Sequence, residues 1–202
     1  MKISSILVLL LFSIMGYGQI NLPITFDDPG TDYSLADFGG NSSAIIVDPT
    51  DPGNMVVQSV KTDVAELWAG TTAGEFGLVT PIPFTAVNTK MKVRVWSPDA
   101  GIQIRLKVED AGDPTKSVET EATTTTAMDW EVLEFDFSNE APGTATINLT
   151  YVYNKISIFF NFGITGMDAG EKTYFWDDVE FIGGGGGPAQ IDLPVTFEEV
   201  NV

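Results

Sequence analysis

Two runs of strict alternation constrain what this chain can fold into. Lys90-Met91-Lys92-Val93-Arg94-Val95-Trp96 and Ile102-Gln103-Ile104-Arg105-Leu106-Lys107-Val108-Glu109 switch between polar and apolar at almost every step. Successive side chains of a strand point to opposite faces, so a period of two means one buried face and one wet face. A helix cannot bury such a pattern. The residues between the runs, Ser97-Pro98-Asp99-Ala100-Gly101, are turn formers, and the pair reads as a β-hairpin. Further strands are expected at Ser43–Val47, Met55–Val60, Ser117–Thr123, Trp130–Phe137, Lys155–Phe162 and Thr173–Phe181. Asp-Pro, Pro-Gly and Gly-Gly pairs punctuate the gaps. Many short strands joined by turns predict an all-β chain, a two-sheet antiparallel β-sandwich of the jelly-roll kind, with a barrel as the alternative.

The ends of the chain suggest how it is organised. Lys2 followed by the apolar run Ile6–Ile14 and by Gly16-Tyr17-Gly18 has the layout of a secretory signal peptide over residues 1–18. That run is too short to span a bilayer. The expectation is an exported protein, secreted or held at the cell surface, with no membrane insertion. Gln19-Ile20-Asn21-Leu22-Pro23-Ile24-Thr25-Phe26-Asp27-Asp28 recurs as Gln190-Ile191-Asp192-Leu193-Pro194-Val195-Thr196-Phe197-Glu198-Glu199, each change being conservative. Gly183 to Gly187, then Pro188, precede the second copy as a flexible tether. This gives a unit over 19–182, a Gly-rich linker over 183–189, and over 190–202 the truncated start of a second, similar repeat. Further domains of a longer chain are the expected neighbours.

Composition then removes whole classes of chemistry. The 202 residues contain no Cys and no His, so disulfides, thiolate nucleophiles, Ser-His-Asp triads and Cys/His zinc sites are impossible. Asp and Glu outnumber Lys and Arg by 28 to 10, for a net charge of −18. A nucleic-acid partner needs a basic footprint, so none is expected. Carboxylate-based hydrolysis, divalent-cation binding and binding without catalysis stay open. No acid pair stands in a recognisable glycosidase motif, and the chain is not expected to be an enzyme.

If Met91, Val93 and Val95 face the core, then Lys90, Lys92, Arg94 and Trp96 face away. In a hairpin Gln103, Arg105, Lys107 and Glu109 would share that outer face. Half of the ten basic residues would then gather around an indole. A flat indole stacks on the C–H face of a pyranose, while Arg, Gln and Glu hydrogen-bond its hydroxyls. Trp96, Arg94, Gln103 and Arg105 are therefore candidate polysaccharide-binding residues. The plainer reading of the same face is a solvated sheet whose cations are balanced by Glu119 and Glu121 across the strands. Trp68, in Leu67-Trp68-Ala69-Gly70-Thr71-Thr72, reads as a loop or strand-end residue and is the second stacking candidate, with core packing as its alternative. Trp130 reads as core or edge packing and Tyr33 as a weaker loop candidate. In Phe175-Trp176-Asp177-Asp178-Val179-Glu180-Phe181, alternation puts Asp177 on one face with Phe175, Val179 and Phe181. A carboxylate among apolar residues demands a partner. If the first and last strands are neighbours, Asp27 and Asp177 meet, and with no His or Cys present Ca²⁺ is the natural ligand.

Three places carry a resemblance: the opening Phe26-Asp27, the strand Trp130-Glu131-Val132-Leu133-Glu134-Phe135, and the closing Tyr174-Phe175-Trp176-Asp177-Asp178-Val179. Together they resemble the family 4/9/22-type carbohydrate-binding modules, galactose-binding-like β-sandwiches appended to secreted glycoside hydrolases. The unit is also similar to tandem modules found beside secreted β-glucanases. The resemblance implies a non-catalytic module that holds a polysaccharide, β-glucan-type favoured. It also implies a structural Ca²⁺ joining the start of the domain to its end, at Asp27 and Asp177. The alternatives are a structural or adhesion spacer repeat, or the accessory domain of a glycoside hydrolase whose catalytic domain lies outside this chain.

Overall fold

A computed structural model describes residues 20–183. The segments expected from sequence to be a signal peptide (1–18), the rest of a Gly-rich linker (184–189) and the start of a second repeat (190–202) lie outside the described residues. The strands are β1 (Ala36–Phe38), β2 (Asn41–Asp48), β3 (Asp51–Lys61), β4 (Gly70–Ala73), β5 (Lys90–Ser97), β6 (Gln103–Asp110), β7 (Asp113–Thr123), β8 (Asp129–Asp136), β9 (Lys155–Phe159) and β10 (Lys172–Ile182). One helical turn, α1 (Gly166–Ala169), precedes β10. They form two five-stranded sheets, the first ordered β1-β4-β9-β6-β7 and the second β2-β3-β10-β5-β8. The strand pairs are antiparallel throughout. This is the expected two-sheet sandwich.

The alternating runs explain the core. Met91, Val93 and Val95 of β5 and Ile104, Leu106 and Val108 of β6 are all at most 1% exposed. They meet Ile156 and Ile158 of β9 and Tyr174, Trp176 and Val179 of β10 between the sheets. Burying each large apolar side chain contributes roughly 1.5–3 kcal/mol, which makes this layer the main source of stability.

The hairpin expected of β5 and β6 does not form. β5 pairs with β8 and β10 in the second sheet, and β6 pairs with β7 and β9 in the first. Residues 98–102 carry the chain over the end of the sandwich instead of folding it back beside itself. The reason is geometric. Two amphipathic strands bury their apolar faces equally well side by side or face to face across a core, and alternation does not distinguish the two. The outer faces of β5 and β6 therefore point in opposite directions.

A second departure lies in β10. Its register on β5 slips between Asp177 and Glu180, and Asp178 takes φ +48°. One extra residue reverses the phase of the strand. Tyr174 and Trp176 face the core before the bulge, Val179 and Phe181 pack on it after, and Phe175 and Asp177 share the outer side with Trp96 and Arg94. The first and last segments are neighbours as expected: Ile24 and Val179 exchange both backbone hydrogen bonds at 3.0 Å.

Candidate functional site

The outer face of the first sheet holds a groove of about 420 Å³. Its floor comes from the outward residues of adjacent strands. Phe159 and Glu121 stand opposite Arg105, and Ser157 and Glu119 stand opposite Lys107. Aromatic rings form a line across it, Trp68 to Phe38 to Phe159 to Phe162, with successive centroids 6.2, 5.2 and 5.8 Å apart. Trp68 stands just before β4 and is 46% exposed, as a loop or strand-end residue should be. Two glycines make room for this line. Gly39 (φ +64°) lets the indole of Trp68 lie close, because a Cβ there would come within 3.0 Å of its ring. Gly70 lets Phe38 cross β4, since a Cβ would stand 2.9 Å from the Phe38 ring and 2.5 Å from the Ile158 carbonyl.

Polar groups line the rest of the groove, and they are mutually fixed. Arg105 lays its guanidinium 3.5 Å from the centre of the Phe162 ring. It donates to Glu121 and to Glu119, both at 2.8 Å. Gln103 donates to Glu121 as well. Lys155 and Lys107 grip the buried Glu109, at 3.1 Å and 2.5 Å. Three cations thus answer three carboxylates, and the floor is neutral. Such groups are preorganised to hydrogen-bond hydroxyls, and beside them Trp68 offers an open apolar face, backed by the half-buried Phe38 and Phe162 and the buried Phe159.

Trp96 and Arg94 belong to the opposite side of the molecule. On the second sheet Trp96 stands across from Trp130 on one flank and Phe175 on the other, with Gln58 next in the row. Trp96 meets Phe175 edge-to-face at 5.3 Å. Arg94 stacks 3.7 Å from the centre of the Trp130 ring, and Trp130 Nε1 donates to Thr50 Oγ1 at 3.0 Å. The single patch of Trp96, Arg94, Gln103 and Arg105 is therefore corrected to two. Arg105 lines the groove with Trp68, Gln103 stands on the same sheet face beside it, bonded to Glu121, and Trp96 and Arg94 form a separate surface. Trp130 is an outer-face residue rather than core. Tyr33 is buried at 7% exposure against Phe26, with ring centroids 4.9 Å apart.

Asp177 lies beneath Arg94 and is 1% exposed. Asn54 Nδ2 donates to its Oδ2 at 2.9 Å, Arg94 Nη1 approaches the same oxygen at 3.5 Å, and Oδ1 is buried with no hydrogen-bond partner among the described residues. Burial pushes its carboxyl up to about 6, against the opposing pull of Asn54. The neighbouring Asp178 is raised too, by burial first and with the charge of Asp27 among the later causes. Asp27 is exposed, and its Oδ1 accepts from the Met55 backbone N–H at 2.9 Å. Among the described residues no three Asp or Glu side chains converge into a carboxylate cage. Burial also pushes Lys61 down to about 8. Its buried Nζ donates to the carbonyls of Phe160 and Asn161, at 3.1 and 3.0 Å, just before Phe162 enters the groove.

The sequence reading does not mark Phe38, Phe159 or Phe162 as site residues. For Phe159 the signal was present, because Ile156, Ile158 and Phe160 alternate inward and leave it on the outer face. Phe38 lies on β1, which is only three residues long and beyond the reach of periodicity.

The fold is shared with solved structures of low sequence identity. The chain is similar to an exo-β-agarase (TM-score 0.52, 10% identity), covering 78% of this chain and 24% of that one. It is similar to an arabinose-bound α-L-arabinofuranosidase (TM-score 0.53, 14% identity), covering 81% of this chain and 26% of that one. It thus spans about a quarter of the length of either protein. A family 11 carbohydrate-binding module from Clostridium thermocellum, in complex with a β-1,3-1,4-mixed-linked tetrasaccharide, gives a TM-score of 0.49 at 18% identity, over 79% of this chain and 95% of that one. No protein-family model and no curated protein matches the chain.

Proposed function

We propose that this unit is a non-catalytic polysaccharide-binding module of an exported, multi-domain protein, with a β-glucan-type chain lying in the groove of the first sheet. The observation that carries the proposal is the aromatic line from Trp68 to Phe162 beside a floor of ion-paired side chains. Rings supply apolar stacking surface, and the Arg105, Gln103, Glu119 and Glu121 network supplies donors and acceptors already held in place, so little ordering is needed on binding. The same network favours binding over hydrolysis. A glycosidase needs one carboxyl to donate a proton and another to activate water or attack, whereas Glu109, Glu119 and Glu121 are each engaged by a cation. Proteins named for agar and arabinose carry a related sandwich, in keeping with this reading. The test is retention on gel-embedded β-glucan and a glycan array. Wild type should be retained, Trp68→Ala should bind about tenfold more weakly, and its melting temperature should barely move. Failure of wild type to bind any glycan would leave the spacer-repeat reading standing.

Calcium is part of the proposal. The orphaned Asp177 Oδ1 and the exposed Asp27 carboxylate offer oxygens where the first and last segments meet. Ca²⁺ takes six to eight oxygens, so backbone carbonyls and waters would complete the shell. Its role there would be to clamp the start of the domain to its end and stabilise the native state by binding it alone. Adding Ca²⁺ should raise the melting temperature, EDTA should reverse this, and Asp177→Ala should remove the dependence. Identical melting curves in Ca²⁺ and EDTA would refute the site.

A further inference from the structure

Resting on the reading of the groove as a glycan site, we infer that the outer face of the second sheet is a second sugar platform, so that one unit grips two polysaccharide chains on opposite sides. Trp130, Trp96 and Phe175 stand in one cross-strand row on β8, β5 and β10, and Gln58 of β3 continues it. None of the three rings is in the core, which β5 and β10 fill with Val93, Val95 and Trp176 from their other side. The row is half-buried: Phe175 packs on Trp96 and Trp130 and Arg94 covers one face of Trp130, yet part of each ring stays open on the outer side of the sheet. That open part gains most when a flat ligand covers it.

Charge identifies the occupant. Arg94, the cation in the row's flank, is held at 3.2 Å by Asp48 and at 3.5 Å by Asp177, so the platform offers no free positive charge to an acidic polymer. The chain as a whole carries −18, so a second copy of the same protein is repelled from it. An uncharged glycan meets neither obstacle. Gln58 supplies hydrogen bonds beside the rings, as Gln103 does beside the groove. Because the two sheets face opposite ways, no single glycan chain can lie straight across both sites. Occupying both links two chains.

The experiment uses the full chain with a soluble β-glucan and with the same glucan cast in a gel. Trp96→Ala and Trp68→Ala should each weaken gel retention about tenfold, and the double variant should not be retained. Wild type should raise the viscosity of the soluble glucan by cross-linking it, and either single variant should lose that effect while keeping part of its retention. Gln58→Lys, which places a charged chain beside Phe175 without removing a ring, should repeat the Trp96→Ala result if Trp96→Ala itself folds poorly. Retention and viscosity unchanged in both Trp96→Ala and Gln58→Lys would overturn the second platform and leave the groove intact. A dimer in wild type that dissociates in Gln58→Lys would overturn it in favour of a self-association surface. No retention of wild type on any glycan would defeat the groove reading and this one together.

Discussion

The two outer faces of this sandwich solve the same problem with opposite wiring. On the first sheet Glu109 is buried between Lys107 and Lys155, but the carboxylates that Arg105 reaches, Glu119 and Glu121, stay partly open, with side chains 21% and 13% exposed. On the second sheet Glu134 and Glu180 pair with Lys90 and Lys92 at the surface, but the two carboxylates beneath Arg94 are sealed. Asp48 and Asp177 side chains are 0% and 1% exposed, and Arg94 covers them from above. The aromatic residues follow the same division. Trp68 is nearly half-exposed in the groove, whereas Trp96, Phe175 and Trp130 lean on one another. The first face keeps part of its polar groups open to the groove. The second spends part of them on holding the fold where its first and last segments meet.

This contrast is sharpest for the two arginines. Arg94→Met would leave two buried carboxylates without their cation, and losing one partner of a buried pair costs about 3–5 kcal/mol. Arg105→Met leaves Glu119 and Glu121 able to recruit water, and should cost about 1 kcal/mol, the value of a partly exposed pair. Urea unfolding of the two variants measures the difference. Equal losses would erase the distinction drawn between the faces. Glycan retention should show the reverse order, with Arg105→Met the more damaging.

Lys61 ties the second sheet to the rim of the groove, and pH reveals at what expense. Its amine titrates near 8 when folded and near 10.5 when free. Between those values the unfolded chain binds the extra proton, so stability should rise with pH from about 8 to about 10.5, by up to about 3 kcal/mol. Below pH 8 the burial penalty is present in full. Lys61→Met should flatten that rise in a pH series of denaturation curves. An identical slope in the variant would mean that the buried amine is not its source.

Asp177 should act with the opposite trend and a slightly smaller size. Its carboxyl titrates near 6 in the fold against 3.8 when free. The native state holds the extra proton between these values, so the Asp177 contribution falls as pH rises from about 4 to about 6, by up to about 3 kcal/mol. Asp48, Asp136 and Glu131, whose hydrogen bonds outweigh burial and hold them below their ordinary values, work the other way. The comparison of wild type with Asp177→Asn isolates the effect. In saturating Ca²⁺ the fall should shrink, because the metal favours the ionised form. A fall unaltered by Ca²⁺ would separate Asp177 from any cation site.

Much of this architecture is legible in sequence. Alternation located six strands besides the two strongest, and it placed Met91, Val93 and Val95 inward and Arg94 and Trp96 outward. Periodicity is a property of one strand, however, and the site is a property of how strands are arranged. Whether β5 and β6 pair or face each other depends on partners dozens of residues away, so Trp96 and Gln103 were placed together although they stand on opposite sides. The bulge at Asp178 shows the same limit at a smaller scale, since one residue at positive φ reverses every assignment beyond it. Gly70-Thr71-Thr72-Ala73 has a loop's composition yet is wholly buried as β4, because its short side chains are what allow Phe38 to lie across it.

The smallest expected effect concerns a single methyl group. Gly39 has φ +64°, where any Cβ is strained by about 1–2 kcal/mol. Here the Cβ would also stand 2.9 Å from the Ala69 Cα and 3.0 Å from Trp68 Cζ3. The first of these contacts is backbone, so relief requires the Trp68 strand end to move rather than a side chain to turn. Gly39→Ala should therefore lower stability by about 1–2 kcal/mol and tilt the indole that opens the aromatic line. The groove should lose affinity by a few-fold, while retention through the Trp96 platform, measured in a Trp68→Ala background, should not change. Tryptophan fluorescence would report the displacement directly, because only Trp68 among the four indoles is near Gly39 in the described residues. If Gly39→Ala weakened both faces alike, the two would be coupled through the sandwich, and treating them as separate sites would be wrong.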